Sequence, residues 1–254
     1  MKEKRFEAIV NEVENGGVIS ISDLCSHFNV SVATMRRDLA ELEAQGRIKR
    51  IRGGAKALRS PNEDVELPYQ IRTAINVEEK QRIAQYAIQM IQPNESIILD
   101  SSSTVRELAE LLIDVKIPLT VITNDIEIAR LLTANPLIEL IMVGGRIRIG
   151  HFGTVGVFAD AFWKQVHTDK LFLGVDAIDP NSGFFNHNSE EITGKRLMIE
   201  CAKNRIVLAD HYKFFSNSLI QLCDIDDINL IVTSVGLSED IVAQFSTGCR
   251  LVCV

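Results

Sequence analysis

From residue 96 to residue 143, short apolar runs alternate with longer amphipathic stretches: strand-like segments at Ser96–Leu99, 119–122 and 138–143 bracket helix-like segments at 103–113 and 125–133. Parallel strands cannot be joined by a tight turn, so each pair needs a crossover, and a helix is the usual one. The pattern therefore predicts an α/β architecture, a mostly parallel sheet flanked by helices. Further strands are expected at 170–173, 205–209, Leu230–Thr233 and Arg250–Cys253, with a helix over 78–91 and a long one near 190–203.

The first 57 residues keep a different rhythm. Phe6, Ile9, Val10 and Val13 lie at helical spacing ahead of Asn15-Gly16-Gly17, and residues 18–20 suit a short strand. Ser22 is expected to cap a second helix carrying Leu24, Cys25 and Phe28. After a turn at Asn29, Ser31 is placed to cap a third helix in which Met35, Leu39 and Leu42 form one buried stripe, with Thr34 and Arg37 on the other side. Residues 47–51 alternate basic and apolar side chains, as a half-buried strand does, and Gly53-Gly54 permits a tight turn. Helix, helix, turn, helix and basic strand describe a winged helix-turn-helix. Residues 58–77, polar and containing Pro61 and Pro68, read as a linker between a 1–57 domain and a 78–254 domain.

Charge divides the chain the same way. The net charge is −7, yet the first 60 residues carry 11 basic against 8 acidic side chains and the remainder 16 against 26. An acidic body repels nucleic acid, which confines phosphate contact to the amino-terminal part. Ser31, Thr34, Arg36 and Arg37 on the third helix, and Arg47, Lys49, Arg50 and Arg52 on the wing, are the candidates to touch double-stranded DNA. Arginine grips a phosphate or reads guanine through two hydrogen bonds. A local ion pair of Arg36 with Asp38 or Glu41 is the competing reading. No run approaches the ~18 apolar residues of a membrane span, so a cytoplasmic protein with no membrane partner is expected. The five cysteines are scattered, odd in number and never spaced Cys-x-x-Cys; core thiols are expected, and no metal or other cofactor.

Asp100 closes an apolar strand, and Ser101, Ser102, Ser103 and Thr104 open a helix, offering hydroxyls, free N–H groups and a helix dipole to an anion. Plain helix capping would use the same residues. Thr123-Asn124 and Gly144-Gly145 also follow strands at their carboxyl ends, where open parallel sheets gather ligand groups, although a Gly pair also makes an ordinary turn. Glu190 and Glu191 with Lys195, and Asp210 with Lys213, set opposite charges near the same crevice or form surface ion pairs.

The run Val30-Ser31-Val32-Ala33-Thr34-Met35-Arg36-Arg37-Asp38-Leu39, joined to a wing ending Arg50-Ile51-Arg52-Gly53-Gly54-Ala55, resembles the DeoR family of bacterial transcriptional repressors. Arg52 stands where that family usually has His. Ile98 to Thr104, Val121-Ile122-Thr123-Asn124, Met142-Val143-Gly144-Gly145, Asp169 to Asp176 and Val207-Leu208-Ala209-Asp210 are similar to its sensor-domain motifs, in order. The resemblance implies the fold shared by ribose-5-phosphate isomerase, glucosamine-6-phosphate deaminase and CoA transferases, and a phosphorylated sugar or related effector; a homo-oligomer is expected because one winged helix reads few base pairs and binds weakly. The resemblance also brings Asp176 into the candidate effector site. The family's Asp-Ser-Ser-Lys-Phe is here Asp210-His211-Tyr212-Lys213-Phe214, which points to a bulkier or differently held ligand. Two rival readings remain: a sugar-phosphate isomerase or deaminase with an appended DNA-binding domain, drawing on Asp100, Glu190, Glu191 and Lys213 as acids and bases, and an interaction domain with an empty crevice.

Overall fold

A computed structural model describes residues 2–16, 18–45, 47–51, 53–57, 67–216, 218–245 and 249–254. The chain divides into two compact units, Met1–Val77 and Glu78–Val254.

The first unit runs α1 (Lys2–Gly16), β1 (Val18–Ser20), α2 (Ile21–Phe28), α3 (Val32–Ala44), β2 (Ile48–Ile51), β3 (Gly54–Ala57) and α4 (Tyr69–Ala74). Its three strands form an antiparallel sheet in the order β1-β3-β2. Phe6, Ile9, Val13, Leu24, Met35, Leu39, Leu42, Ile48 and Ala55 close its core, so the stripe at Met35, Leu39 and Leu42 faces inward as the spacing predicts. Ser31 caps α3 by accepting from the Thr34 N–H at 3.2 Å. The cap of α2 is Ser20, not Ser22: its Oγ accepts from the Asp23 N–H at 3.1 Å. Pairing of Ser20 with Gly54 fixes Ser20 as the last extended residue, and the chain turns helical immediately after it. Gly54 is required there, since a Cβ would meet the Ile19 carbonyl oxygen at 2.3 Å. Helix α4 lies within the segment read as a linker and buries Tyr69.

The second unit adds α5 (Val77–Ile88), β4 (Ser96–Leu99), α6 (Ser103–Leu112), β5 (Leu119–Thr123), α7 (Ile126–Leu132), β6 (Ile138–Met142), β7 (Arg146–Ile147), β8 (Thr154–Val155), α8 (Val157–Trp163), β9 (Thr168–Leu173), β10 (Ala177–Asp179), β11 (Gly183–Asn186), α9 (Ser189–Cys201), β12 (Ala202–Leu208), β13 (Ile220–Cys223), β14 (Leu230–Thr233), α10 (Glu239–Gln244) and β15 (Arg250–Cys253). Seven strands form one sheet in the order β15-β14-β12-β9-β4-β5-β6, every pairing parallel. Both faces are covered, which is why its central strands are continuous apolar runs. Side chains alternate between faces: Ile97, Leu99 and Phe172 join a core with Ile83, Leu108 and Ile128 from α5–α7, whereas Ile98, Leu171 and Leu173 join Trp163, Ile192 and Met198 from α8 and α9. Truncating a fully buried ring such as Phe172 to Ala would cost about 3–5 kcal/mol.

Two small antiparallel sheets, β10-β11-β13 and β7-β8, accompany the main one. Their strands span two to four residues, too short for period-two patterning to mark them in the sequence.

Candidate functional site

In the first unit the exposed side of α3 carries Ser31, Arg36 and Arg37, with Thr34 half-buried beside them. Asp38 is buried and receives Arg5 of α1 at 2.8 Å, which removes it as a partner for Arg36. Neither Arg36 nor Arg37 forms an ion pair among the described residues. On the wing Lys49 and Arg50 are exposed and Arg47 is half-buried. Arg50 is tied back to α3: its N–H donates to Glu43 at 2.8 Å and its guanidinium lies 3.9 Å from the same carboxylate. Arg52 lies outside the described residues.

The second unit has a topological switch point. From β4 the chain adds β5 and β6 on one side, then crosses to place β9 on the other. Crevices at the carboxyl ends of such strands are where open parallel sheets bind ligands. Asp100 follows β4 and Gly174 follows β9, and the two meet: the Gly174 N–H donates to Asp100 Oδ2 at 3.0 Å. The approach needs glycine, because a Cβ on Gly174 would stand 2.2 Å from Ser102 Cβ. Lys195, from α9, donates to Asp100 Oδ2 at 2.5 Å and to the Gly174 carbonyl at 2.9 Å. Burial works against the Lys195 charge, but Asp100, Glu191 and Asp176 outweigh it and hold the ammonium above its ordinary pKa. Lys195 is therefore a charged group deep in the unit.

Around this pair opens a narrow cleft, partly continuous with solvent and with interior space for about one water, whose walls include Asp100, Asn124, Thr154, Asp160, Glu190, Glu191 and Lys195. Two arginines from the segment carrying β7 pair with glutamates of the cleft wall. Arg146 pairs with Glu190, while Arg148, buried, pairs with Glu191 and lies 3.8 Å from Glu190. Thus Glu190 and Glu191 engage arginines some 43 residues earlier in the chain, and Lys195 engages Asp100, instead of forming the short-range pairs their spacing suggested. The two arginines escaped the sequence reading, although Gly144-Gly145-Arg146-Ile147-Arg148 carries a signal: arginines two apart in a strand project to one side.

The remaining predicted residues divide by role. Ser102 caps α6, accepting from the Val105 N–H at 3.2 Å. Ser101 Oγ donates to Asp125 at 2.8 Å, and its N–H donates to Asn124 at 3.2 Å. Ser103 and Thr104 are buried in the first turn of α6. Thr123 Oγ1 bonds the Leu99 carbonyl, and Asn124 Nδ2 donates to the Thr154 carbonyl, so both staple strand ends while Asn124 also faces the cleft. Gly145 admits the Val155 backbone, whose oxygen a Cβ would meet at 2.8 Å, whereas Gly144 has open space about it. Asp176 accepts from Asn186 Nδ2 and the His187 N–H. Asp210 caps a short 3-10 helix through the Tyr212 N–H, and Lys213 makes no ion pair among the described residues. Neither Asp210 nor Lys213 lines the cleft. Asp125, not singled out in the sequence, is buried and caps α7. Burial raises its carboxyl to about 6, against lowering hydrogen bonds from Ile128, Ser101 and Glu127.

A winged helix-turn-helix with free arginines on its third helix, joined to an α/β unit with a charged cleft at its switch point, defines a DNA-binding regulator with a sensor domain. Residues 5–61 match the DeoR-like helix-turn-helix domain and residues 75–235 the DeoR C-terminal sensor domain. The chain is 35% identical over 237 residues, 93% of its own length and 88% of the other's, to a protein described as an aga operon transcriptional repressor of Escherichia coli O157:H7. It is 30% identical over 230 residues, 91% of its length and 90% of the other's, to the glycerol-3-phosphate regulon repressor of Escherichia coli K12. Among solved structures it is similar to ribose-5-phosphate isomerase A of Methanocaldococcus jannaschii, with 16% identity and a TM-score of 0.41 over 55% of each chain. The chain belongs to the DeoR family of transcriptional regulators.

Proposed function

We propose that this protein represses an operon for catabolism of a sugar or carbohydrate derivative, and that a phosphorylated sugar-type effector bound in the cleft releases it from its operator. The observation that carries the reading is the set of ion pairs at the cleft: Lys195 lines it and pairs with Asp100, while Arg148 and Arg146 pair with Glu191 and Glu190 of its wall. A phosphate group bears more charge than one carboxylate and matches the guanidinium fork, so it competes with the glutamates for the arginines. The relatives named for the aga operon and the glycerol-3-phosphate regulon support carbohydrate control.

The same pairing favours a sensor over an isomerase, because Asp100, Glu190 and Glu191 are each committed to a cation and none stands as a free base. Asp100, Asn124, Glu190, Lys195 and Arg148 are the effector contacts in this proposal. Thr34, Arg36 and Arg37 read the major groove, and Arg47, Lys49 and Arg50 follow the backbone. The protein works in the cytoplasm as a homo-oligomer, since one winged helix reads too few base pairs to bind tightly. Effector binding must favour one arrangement of the heads, because a ligand with equal affinity for both states shifts nothing. Fluorescence anisotropy with a labelled duplex from the gene's own upstream region tests this. A phosphosugar that weakens binding is expected, and no response to any phosphosugar removes the sensor role.

A further inference from the structure

The exposed side of α3 carries two kinds of chemistry, one helical turn apart. In the first turn Val32 is 47% exposed and Ala33 is exposed beside it. In the second, Arg36 and Arg37 are exposed and make no ion pair among the described residues. Val32 and Arg36 are four residues apart, as are Ala33 and Arg37, so the methyl groups and the guanidiniums share one face of the helix. Met35, Leu39 and Leu42 hold the other side in the core. Nothing in the fold calls for valine at position 32: a β-branched side chain lowers helix propensity, and an exposed one recovers little by burial. The nearest hydroxyl is already engaged. Ser31 Oγ accepts from the Thr34 N–H at 3.2 Å and shares a 2.9 Å hydrogen bond with Thr34 Oγ1, which removes Ser31 from the groups free to meet a base.

A turn bearing methyl groups followed by a turn bearing guanidiniums matches the edges of particular bases. In the major groove thymine alone presents a methyl group, and guanine presents the two acceptors that an arginine fork engages. The other groups exposed there are hydrogen-bond donors and acceptors, which a valine would desolvate and leave unpaired. Two guanidiniums without a partner, in the basic part of an acidic chain, suit a polyanion. We propose that Val32, with Ala33 beside it, reads the methyl group of a thymine in each operator half-site, while Arg36 or Arg37 reads a guanine close by. One helical turn rises about 5.4 Å against about 3.4 Å per base step, so the two bases lie within about two base pairs of each other. The proposal rests on the operator-binding reading of α3 and adds which base its first turn selects.

Selection of duplexes from a randomised library by the full chain, followed by fluorescence anisotropy on the selected site, tests it. The site is resynthesised with uracil in place of each thymine in turn, which removes one methyl group and no hydrogen-bonding atom. Uracil at one thymine per half-site is expected to weaken binding about fourfold, the change that exposing one methyl-sized group carries. That thymine is expected within about two base pairs of a guanine whose replacement by 7-deazaguanine, which lacks the N7 acceptor, also weakens binding. Val32→Ser is expected to weaken binding to the thymine duplex and to cut the uracil effect to less than about twofold. The position is exposed, so the variant should keep its fold, and its melting temperature checks this. Arg37→Ala is expected to weaken binding to both duplexes alike and to leave the uracil effect in place. A selected site without thymine, a scan in which uracil has no effect, or a uracil effect that persists undiminished in Val32→Ser would overturn the proposal and leave operator binding standing. If no sequence is enriched, the operator-binding reading itself falls and takes this one with it.

Discussion

Asp38 is engaged by Arg5, and that single 2.8 Å pair decides what α3 offers to DNA. With Asp38 buried, Arg36 and Arg37 keep their charges available, whereas Arg50 is held by Glu43. Arg37→Ala should therefore weaken operator binding by about 1–3 kcal/mol, and Arg50→Ala by less, in anisotropy titrations at fixed salt. An equal loss for both would show that the Glu43 pair has no bearing on the wing. Asp125 gives a residue-scale prediction with a pH axis. Its carboxyl titrates near 6 in the folded protein against an ordinary 3.8, so between those values the folded state keeps a proton that the unfolded chain has lost. Stability must fall as pH rises through that window, by up to about 3 kcal/mol, and the loss is complete above it. Asn at this position still caps a helix and carries no charge. Asp125→Asn should accordingly raise the melting temperature at pH 7–8 and show no gain at pH 4. A variant less stable than the wild type at pH 8 would mean that the Asp125 hydrogen bonds outweigh its burial. Little of this was legible in the sequence. The Ser31 cap and the Met35 stripe are local and were readable, but the burial of Arg148 depends on Glu191, 43 residues further on, and Asp125 looked like any residue after a strand.

At the scale of elements, the site exists because β4 and β9 are neighbours although β5 to β8 separate them in the chain. Alternation of strand and helix implies a parallel sheet, but it does not say which strand follows β4 on its other side, so the meeting of Asp100 with Gly174 was hidden. The serines after β4 were legible as a cluster and ambiguous as to role; the structure uses Ser102 as the cap and Ser101 as a link to Asp125. Gly174 is where the two strand ends come closest, and the obstacle to a larger residue is the Ser102 side chain, not backbone. Gly174→Ala is thus expected to destabilise the second unit by about 1–3 kcal/mol through overpacking. Adding Ser102→Gly removes the opposing Cβ and should recover part of that loss, after allowance for the lost cap of about 1 kcal/mol. Chemical denaturation of both variants checks the coupling. A double variant no better than the sum of its parts would place the strain elsewhere.

For the whole molecule, the division of charge sets the terms of DNA binding. The basic excess sits in the first 60 residues and the remainder is acidic, so affinity must come from a few cations per head and must depend steeply on salt. A single head offering Arg36, Arg37 and a short wing cannot gather enough contacts for tight binding, and doubling the heads on one duplex raises the effective concentration of the second without any new contact. Two-fold related heads reach successive major grooves only when their half-sites lie about one helical turn, roughly 34–36 Å, or a multiple of it apart. Sedimentation velocity should therefore find the protein at an even multiple of the chain mass. Inserting about half a turn of DNA between the half-sites should abolish most of the affinity, because it rotates one half-site to the opposite face of the duplex. A duplex holding one half-site that binds as tightly as the paired site would show instead that each head acts alone, and the salt slope would then count the cations of a single winged helix.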